Sequence, residues 1–162
     1  MSVYSIKTQL LIGKAYERHL DAHFSARYRI YGVTYSAQVA GWDRMFIDRA
    51  TGERTKVEYK ADMKAHETGN AFIELGSRTD DTHEWRDGWA LTSKADLLFF
   101  YLPGPGLELV YIFSPEVLRA ELPRWRRMYP EGRSPNKDGY HTHGLLVPPA
   151  ELELIAQEVV LL

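Results

Sequence analysis

The stretch TKVEYKADMK, residues 55–64, decides how the rest of the chain is interpreted. Apolar and charged residues alternate along it, which predicts a β-strand with one apolar face and one charged face. The apolar face carries Val57, Tyr59 and Ala61, and the charged face carries Lys56, Glu58 and Lys60. An isolated Glu-x-Lys pair on such a strand usually faces solvent. A chemical role for Glu58 and Lys60 therefore needs support from elsewhere in the chain.

Length and composition predict one globular domain over residues 1–162. Hydrophobic residues make up 44% of the chain and charged residues 26%, which are ordinary proportions for a protein with a buried core. The chain has no cysteine, which excludes disulfides, thiolate metal sites and thiol nucleophiles. No apolar run is long enough to span a bilayer. We expect a protein without a membrane partner in the cytoplasm of a bacterial, archaeal or phage-infected host cell.

Basic residues gather in one segment, although the chain as a whole is slightly acidic. The formal net charge is −2 and the pI is about 6.3, so any attraction for nucleic acid must be local. Between residues 119 and 137, cations outnumber acids and are interleaved with Trp125 and Tyr129. The cations are Arg119, Arg124, Arg126, Arg127, Arg133 and Lys137. A nucleic-acid surface and a solvated basic surface explain this segment about equally well.

Residues 6–24 predict an amphipathic helix, because apolar residues such as Leu10, Leu20 and Phe24 recur at helical spacing. Glu17 lies in the middle of this apolar stripe. A buried carboxylate without a partner is energetically costly. We therefore expect a cation, a metal or strong hydrogen-bond donors beside Glu17.

The segments that follow predict a sheet with helices packed on it. Their β-branched and aromatic residues favour strands. Strands are expected over residues 27–38, 41–48, 54–62, 70–78, 108–114 and within 90–103. A second long helix is expected to begin after Ser114 and to end near Leu122, because Pro123 follows. The fold class is α/β, with a mixed central β-sheet flanked by helices.

The last part of the chain gives weaker signals. Residues 130–144 are rich in turn-forming residues and predict a loop. Residues 148–162 predict a short amphipathic helix or strand, and their apolar end suits a dimer surface and core packing equally well.

The segment ATGE, residues 50–53, predicts a tight turn between the second and third strands. A turn centred on Thr51 and Gly52 sets Asp43 opposite Lys60. Asp43 and Glu58 are then diagonal neighbours on one face, with Cβ atoms about 7–8 Å apart. We expect the two carboxylates to converge on one cation, with Lys60 at its rim.

Two carboxylates in this arrangement suit Mg²⁺, which takes one or two protein carboxylates and keeps several waters. Asp43 and Glu58 are the expected ligands, with the backbone carbonyl of Tyr59 joining them and Mn²⁺ as a substitute ion. Lys60 would orient an attacking water and counter charge that develops on a phosphate. Glu17 would reach the same cation, directly or through water, if its helix packs beside this edge of the sheet.

The order of these motifs resembles a known group of nucleases. Asp43, a hairpin return and then Glu58-Tyr59-Lys60, all downstream of a helical Glu17, resemble the PD-(D/E)XK nuclease superfamily with its restriction-endonuclease-like fold. Trp42 stands where the motif name has proline. Within that superfamily, GKAYERHL, residues 13–20, is similar to the first helix of archaeal-type Holliday junction resolvases.

This resemblance implies a homodimeric, Mg²⁺-dependent endonuclease that nicks four-way DNA junctions symmetrically. Its active site would hold Glu17, Asp43, Glu58 and Lys60. Arg18 would bind DNA or brace the site. Further DNA contacts are expected from Lys64, Arg124, Arg126 and Arg127.

Other interpretations stay open from the sequence. TGNAFIE, residues 68–74, is closer to phage-type nucleases, so a phage-type or restriction-type enzyme acting on other DNA is the alternative. A non-catalytic DNA-binding domain of the same fold is the alternative outside enzymes. Glu74 is either an additional ligand or a base-stacking neighbour, or it is an edge-strand carboxylate that lies in solvent or pairs with Arg78. The pairs His19/His23 and His141/His143 are better explained as surface histidines than as zinc ligands.

Overall fold

The structure is a computed structural model that describes residues 6–136 and 138–162, without the side chains of residues 6–9. Lys137, one of the basic residues singled out above, lies outside the described residues. The helices are α1 (Ile6–Phe24), α2 (Tyr35–Val39), α3 (Ala65–Thr68), α4 (Trp89–Thr92), α5 (Pro115–Met128) and α6 (Pro149–Ile155). The first five strands are β1 (Tyr28–Gly32), β2 (Arg44–Asp48), β3 (Arg54–Ala61), β4 (Ala71–Thr79) and β5 (Trp85–Asp87). The last five are β6 (Leu97–Gly104), β7 (Leu107–Phe113), β8 (Glu131–Pro135), β9 (Tyr140–Val147) and β10 (Glu158–Leu161).

The strands form two sheets. The main sheet has six strands in the order β1-β2-β3-β6-β7-β10, and the second sheet has four in the order β5-β4-β9-β8. In the main sheet β3 pairs in parallel with β6, whereas every other neighbouring pair is antiparallel. The mixed α/β class with a mixed central sheet and flanking helices is therefore confirmed.

Helix α1 covers one face of the main sheet. Its Leu20 and Phe24 pack against Phe46, Tyr59 and other apolar residues of β2, β3, β6 and β7. Among the side chains of α1 that the structure describes, the apolar stripe is buried only in the C-terminal half, because Leu10 is 57% exposed. The helix ends at Phe24 as predicted, and the described part of the chain is helical from its first residue, Ile6.

The second sheet and helices α4, α5 and α6 cover the other face. Leu98 and Phe100 of β6 meet Ile73 of β4 and Leu145 of β9 in this second core. Trp125 of α5 is fully buried in it. The main sheet is thus apolar on both faces near its centre, which makes any charged residue there unusual.

The β2–β3 hairpin has a different register from the predicted one. Met45 pairs with Lys56 and not with Glu58, a shift of two residues. The carboxylate of Asp48 accepts the amide hydrogens of Ala50 (2.8 Å) and Thr51 (3.1 Å), which centres the turn one position earlier. Because the shift is even, every side chain keeps its predicted face.

The strand predicted over residues 27–38 is correct only in its first half. β1 ends at Gly32, and Tyr35–Val39 form the short helix α2. β2 offers only five residues for pairing with β1. The backbone amides and carbonyls that follow β1 therefore form their hydrogen bonds within a helical turn. Thr34 begins that turn by accepting the Ala37 amide hydrogen at 3.4 Å.

Two predictions in the last third of the chain are wrong. Helix α5 continues through Pro123 to Met128 because Leu122 and Trp125 on either side are buried in the second core. The loop predicted over residues 130–144 contains β8 and most of β9. Its glycines allow close packing, since a Cβ on Gly144 would lie 2.7 Å from the Phe72 ring.

Residues 148–162 form both of the alternatives left open, a helix (α6) followed by a strand (β10). Among the described residues, no helix has both the length and the hydropathy to cross a bilayer.

Glu151 of α6 connects that helix to α5. Its carboxylate accepts hydrogen bonds from Trp125 Nε1 (3.0 Å), Tyr129 Oη (2.6 Å) and the Arg124 guanidinium. The Arg124 guanidinium, followed by the Tyr129 hydroxyl, lowers the pKa of Glu151 from 4.5 to about 2.

We expect Glu151→Gln to lower the free energy of unfolding at pH 7 by about 2–3 kcal/mol, because three donors lose a charged acceptor. The pKa of Glu151 is depressed in the folded state, so its stabilisation is present above its ordinary pKa of 4.5 and is lost as the pH falls toward about 2. Thermal unfolding followed by circular dichroism should therefore show a Tm difference that narrows across this interval. Glu153→Gln on the exposed side of α6 is the control, and an equal loss in both variants would contradict the assignment.

Candidate active site

The edge of β3 becomes accessible where β2 stops pairing with it. The last regular pair is Arg44 with Val57, and Asp43 then continues the contact through two hydrogen bonds. The Asp43 amide donates to the Val57 carbonyl at 2.8 Å, and Asp43 Oδ2 accepts the Tyr59 amide hydrogen at 2.9 Å. Asp43 therefore lies against residues 57–59 of β3, the segment that carries Glu58.

Glu58 is buried next to Lys60. Both side chains lie beside Leu98 and Phe100 of β6, on the face that the second sheet covers. Glu58 is only 4% exposed, and its Oε1 forms an ion pair with Lys60 Nζ at 2.8 Å. Its Oε2 is the one buried side-chain nitrogen or oxygen among the described residues that has no hydrogen-bond partner. Such an atom costs about 1–3 kcal/mol, which calls for an ion or water at this point.

Lys60 is held in its charged form. Burial lowers the pKa of its ammonium, but the carboxylates of Glu58 and Asp43 more than offset this effect, so the pKa lies above its ordinary value. Lys60 is therefore a fixed cation and not a proton acceptor near neutral pH. Its Nζ also lies 6.0 Å from the centre of the Trp89 ring.

Glu17 has a protein partner. Its Oε2 accepts a hydrogen bond from Arg44 Nη2 at 2.9 Å, while Arg44 Nε binds Asp21 at 3.1 Å. Arg44 Nη1 also donates to the Asp43 carbonyl at 3.0 Å. The cation expected beside Glu17 is thus the Arg44 guanidinium, which ties α1 to the start of β2.

Two residues join this group that the motif did not include. The pKa of the Tyr16 hydroxyl is raised by burial, with Lys60 acting against this and Asp43 and Glu58 adding to it. The pKa of Glu74 is raised by burial, Lys60 again opposes this, and Glu58 adds to it. We call Tyr16, Asp43, Glu58, Lys60 and Glu74 the Lys60 cluster.

Glu74 does not pair with Arg78, whose guanidinium instead lies 5.8 Å from the centre of the Trp85 ring. β4 is an inner strand of the second sheet and not an edge strand, which is why Glu74 is partly buried. The sequence signal for Glu74 was only its alternation with Ile73 and Leu75. Tyr16 had no signal beyond its position next to Glu17.

The donor set of the Lys60 cluster suits a hard divalent cation. Oxygen atoms are the ligands that Mg²⁺ prefers, and the buried Glu58 Oε2 is left without another partner. The Tyr59 amide points to the β2 side, so its carbonyl points there too, beyond the last paired residue of β2. No group of three or more histidines or acids in residues 6–136 and 138–162 is arranged to hold a metal. Asp43 and Glu58 as a pair are what Mg²⁺ commonly uses.

A cleft of about 430 Å³ begins at Glu74. We call it the Glu74 cleft. Its lining includes three side-chain hydroxyls, a phenol and a guanidinium, which belong to Ser77, Thr79, Thr142, Tyr140 and Arg86. These groups can donate hydrogen bonds to phosphate oxygens.

The basic residues expected to contact DNA lie on three elements. Arg18 on α1 is exposed and donates to the Lys14 carbonyl at 3.2 Å, and Lys64 is exposed at the start of α3. Arg126 and Arg127 are exposed in the last turn of α5. A DNA contact through these four residues stays a prediction.

Arg124 forms ion pairs within the chain. Its Nε binds Glu121 at 2.6 Å, and its terminal nitrogens bind Glu151. A DNA contact through Arg124 also stays a prediction.

The histidine pair on α1 takes part in surface contacts. His19 Nε2 lies 2.8 Å from Glu108 Oε2, and the His23 ring packs edge-on against Phe24. His141 and His143 form ion pairs with Asp80 and Glu131.

Comparisons of the chain with models of protein families, with curated proteins and with solved structures found no significant match. The function proposed below therefore depends on the geometry of the Lys60 cluster and on the motif resemblance.

The Arg44 contacts predict that Glu17 supports the site structurally. We expect Glu17→Gln and Arg44→Gln each to lower the free energy of unfolding by about 1–3 kcal/mol, because the first removes one of the two carboxylates that bind Arg44 and the second leaves Glu17 without its cation. The double variant should lose less than the sum of the two, with a coupling of about 0.5–3 kcal/mol. Urea unfolding of the four proteins measures this cycle, with exposed Arg29→Gln as the control. Additive losses of unfolding free energy would show that the side chains of Glu17 and Arg44 do not stabilise each other.

Proposed function

We propose that this chain is a Mg²⁺-dependent endodeoxyribonuclease with a restriction-endonuclease-like fold, which acts as a homodimer on four-way DNA junctions. The observation that carries the proposal is the buried Glu58 Oε2 without a partner, beside Asp43 and the charged Lys60. A carboxylate oxygen in that setting is explained by a cation that the protein binds.

The sheet order supports the fold assignment. One helix packs against an antiparallel β1-β2-β3 unit, and β6 then joins β3 in parallel. This is the element order that the motif resemblance implies. Asp43 lies immediately before β2, and Glu58 and Lys60 lie on β3, as the motif requires.

The proposed reaction is hydrolysis of a phosphodiester. A water oxygen bonds to phosphorus and its proton passes to solvent water, while the bond from phosphorus to the 3′-oxygen breaks and that oxygen takes up a proton. The products are a 5′-phosphate and a 3′-hydroxyl. Bound Mg²⁺ would make the water easier to deprotonate and would counter charge on the phosphate. Asp43, Glu58 and the Tyr59 carbonyl would hold that ion.

The other members of the Lys60 cluster have separate roles in this proposal. Lys60 remains a cation and stabilises negative charge that develops on the phosphate oxygens. The raised pKa of Glu74 suits it to give a proton to the leaving 3′-oxygen. Tyr16 stays protonated and donates a hydrogen bond. The Glu74 cleft would hold the DNA backbone next to the reacting phosphate.

Metal binding can be tested without cleavage. We expect Mg²⁺ at ten times its Kd to stabilise the wild-type protein by about 1.4 kcal/mol, measured as a rise in Tm. Asp43→Asn and Glu58→Gln should each remove this rise, whereas Glu17→Gln should retain it. Glu53→Gln in the exposed turn of the same hairpin is the control. Equal stabilisation of Glu58→Gln and wild type would show that the ion binds elsewhere.

The cleavage assay tests the reaction itself. Asp43→Asn, Glu58→Gln and Lys60→Met should each reduce Mg²⁺-dependent cleavage by about 10²–10³-fold or more, since each removes a group that stabilises the transition state. DNA binding, measured by gel shift with Ca²⁺ in place of Mg²⁺, should be retained. Glu53→Gln should cleave like the wild type.

The substrate is tested by comparing a synthetic four-way junction with a linear duplex and a single strand of the same sequence. Preferred nicking of the junction is expected. Preference for either linear form would favour the phage-type or restriction-type alternative. Absence of cleavage with intact DNA binding would favour the non-catalytic domain.

A further inference from the structure

The second sheet contains a cleft of about 590 Å³ that the candidate active site does not use. We call it the histidine cleft. Its lining includes Arg78, His83, Trp85, Arg133, His141 and His143. His141 and His143 alternate along β9 with Tyr140 and Thr142, which line the Glu74 cleft. The two clefts therefore lie on opposite faces of this part of the second sheet.

Trp85 is a fixed aromatic surface in the histidine cleft. A Cβ on Gly76 would lie 2.3 Å from Cζ2 of the indole, so the ring rests directly on the β4 backbone where only glycine fits. The indole Nε1 donates to Asp87 Oδ1 at 2.8 Å, which fixes the orientation of the ring. Trp85 nevertheless remains 40% exposed. An aromatic face that is held rigidly and left accessible is suited to stacking.

His141 and His143 each use one ring nitrogen to contact an acid of the cleft. His143 is only 7% exposed, its Nδ1 lies 2.8 Å from Glu131 Oε1, and its ring packs edge-on against Trp85 with centroids 5.5 Å apart. His141 Nδ1 pairs in the same way with Asp80. In both rings Nε2 is the nitrogen that remains for a ligand.

The cleft holds two arginines and two acids, and neither arginine forms an ion pair with either acid. Asp80 and Glu131 are engaged by the two histidines and not by the arginines. Arg78 lies over the Trp85 ring at 5.8 Å, and Arg133 pairs in register with His143 on β8. Both arginines therefore line the cleft that holds the indole, and guanidiniums bind phosphate in a bidentate manner.

We propose that the histidine cleft binds a nucleoside monophosphate unit, with the base against Trp85 and the phosphate between Arg78 and Arg133. An inorganic anion would leave the indole uncovered, and an apolar ligand would leave the two guanidiniums without an ion-pair partner. A nucleotide satisfies both groups, because bases stack on aromatic rings and phosphates pair with arginine. The ligand is either a free nucleotide or one nucleotide of a DNA strand. This proposal does not depend on the nuclease proposal.

The test measures binding by isothermal titration calorimetry in EDTA, on the wild-type protein and on variants. The probes are 5′-dAMP, deoxyadenosine, inorganic phosphate and a ten-nucleotide deoxyadenosine strand. We expect 5′-dAMP to bind at least tenfold more tightly than deoxyadenosine or phosphate, because it alone engages both parts of the cleft. Trp85→Leu and Arg133→Gln should each weaken 5′-dAMP binding at least tenfold.

Matched variants separate binding from folding. Trp85→Phe keeps an aromatic face and should bind 5′-dAMP more tightly than Trp85→Leu does, whereas Arg29→Gln on the exposed side of β1 should bind within threefold of the wild type.

The strand probe distinguishes the two sources of the nucleotide. Tighter binding of the strand than of 5′-dAMP, lost in Trp85→Leu, assigns the cleft to DNA, and equal or weaker binding assigns it to a free nucleotide. Lack of 5′-dAMP binding, equal binding of phosphate alone, or unchanged binding in Trp85→Leu and Arg133→Gln would each overturn the proposal. DNA cleavage by the wild-type protein is measured separately, so the outcome for the Lys60 cluster is distinct.

Discussion

β3 is covered on both faces, and this constraint places the charges of the candidate active site. Val57 and Tyr59 fill the core under α1, so the period of the strand forces Glu58 and Lys60 into the side covered by the second sheet. The ion pair between them neutralises one carboxylate oxygen and leaves the other buried without a partner. A sequence selected only for stability would place apolar residues here. The free-energy cost of burying Glu58 and Lys60 is expected if these two residues serve binding and catalysis.

Arg44 connects α1 to the candidate active site. One guanidinium binds Glu17 and Asp21 on the helix and the Asp43 carbonyl at the start of β2. The Tyr59 hydroxyl also donates to Asp21 at 2.8 Å. The acids of α1 therefore form a layer behind Asp43 and Tyr59 that fixes where these two residues lie. Precise placement of this kind is what a metal site requires from the groups around its ligands.

The second sheet gives the fold two polar surfaces with different chemistry. One face presents Glu74 to Lys60 and Glu58 and continues into a cleft rich in hydroxyl groups. The other face holds Trp85 between histidines and arginines. Gly76 and Gly144 make this possible, because each lets an aromatic ring lie against the β4–β9 backbone. The turn-like composition of residues 130–144 thus reflects close packing in a sheet.

Local periodicity in the sequence determined α1, the strands β2, β3, β4 and β7, and the shared face of Glu58 and Lys60. These features depend on spacing within a few residues, which the chain carries wherever it folds. The need of Glu17 for a cation was also predictable, because a carboxylate on an apolar stripe must be compensated. The mixed α/β class followed from the order of these elements.

Tertiary structure alone decided the remaining features. The hairpin register depends on which amides Asp48 caps, and the identity of the cation beside Glu17 depends on where Arg44 meets α1. The helix through Pro123 persists because burial of Trp125 outweighs one missing hydrogen bond. Glu74 joined the Lys60 cluster because the second sheet packs over β3, a contact between residues distant in sequence. Such contacts are set by how whole elements pack, and no short window of sequence contains them.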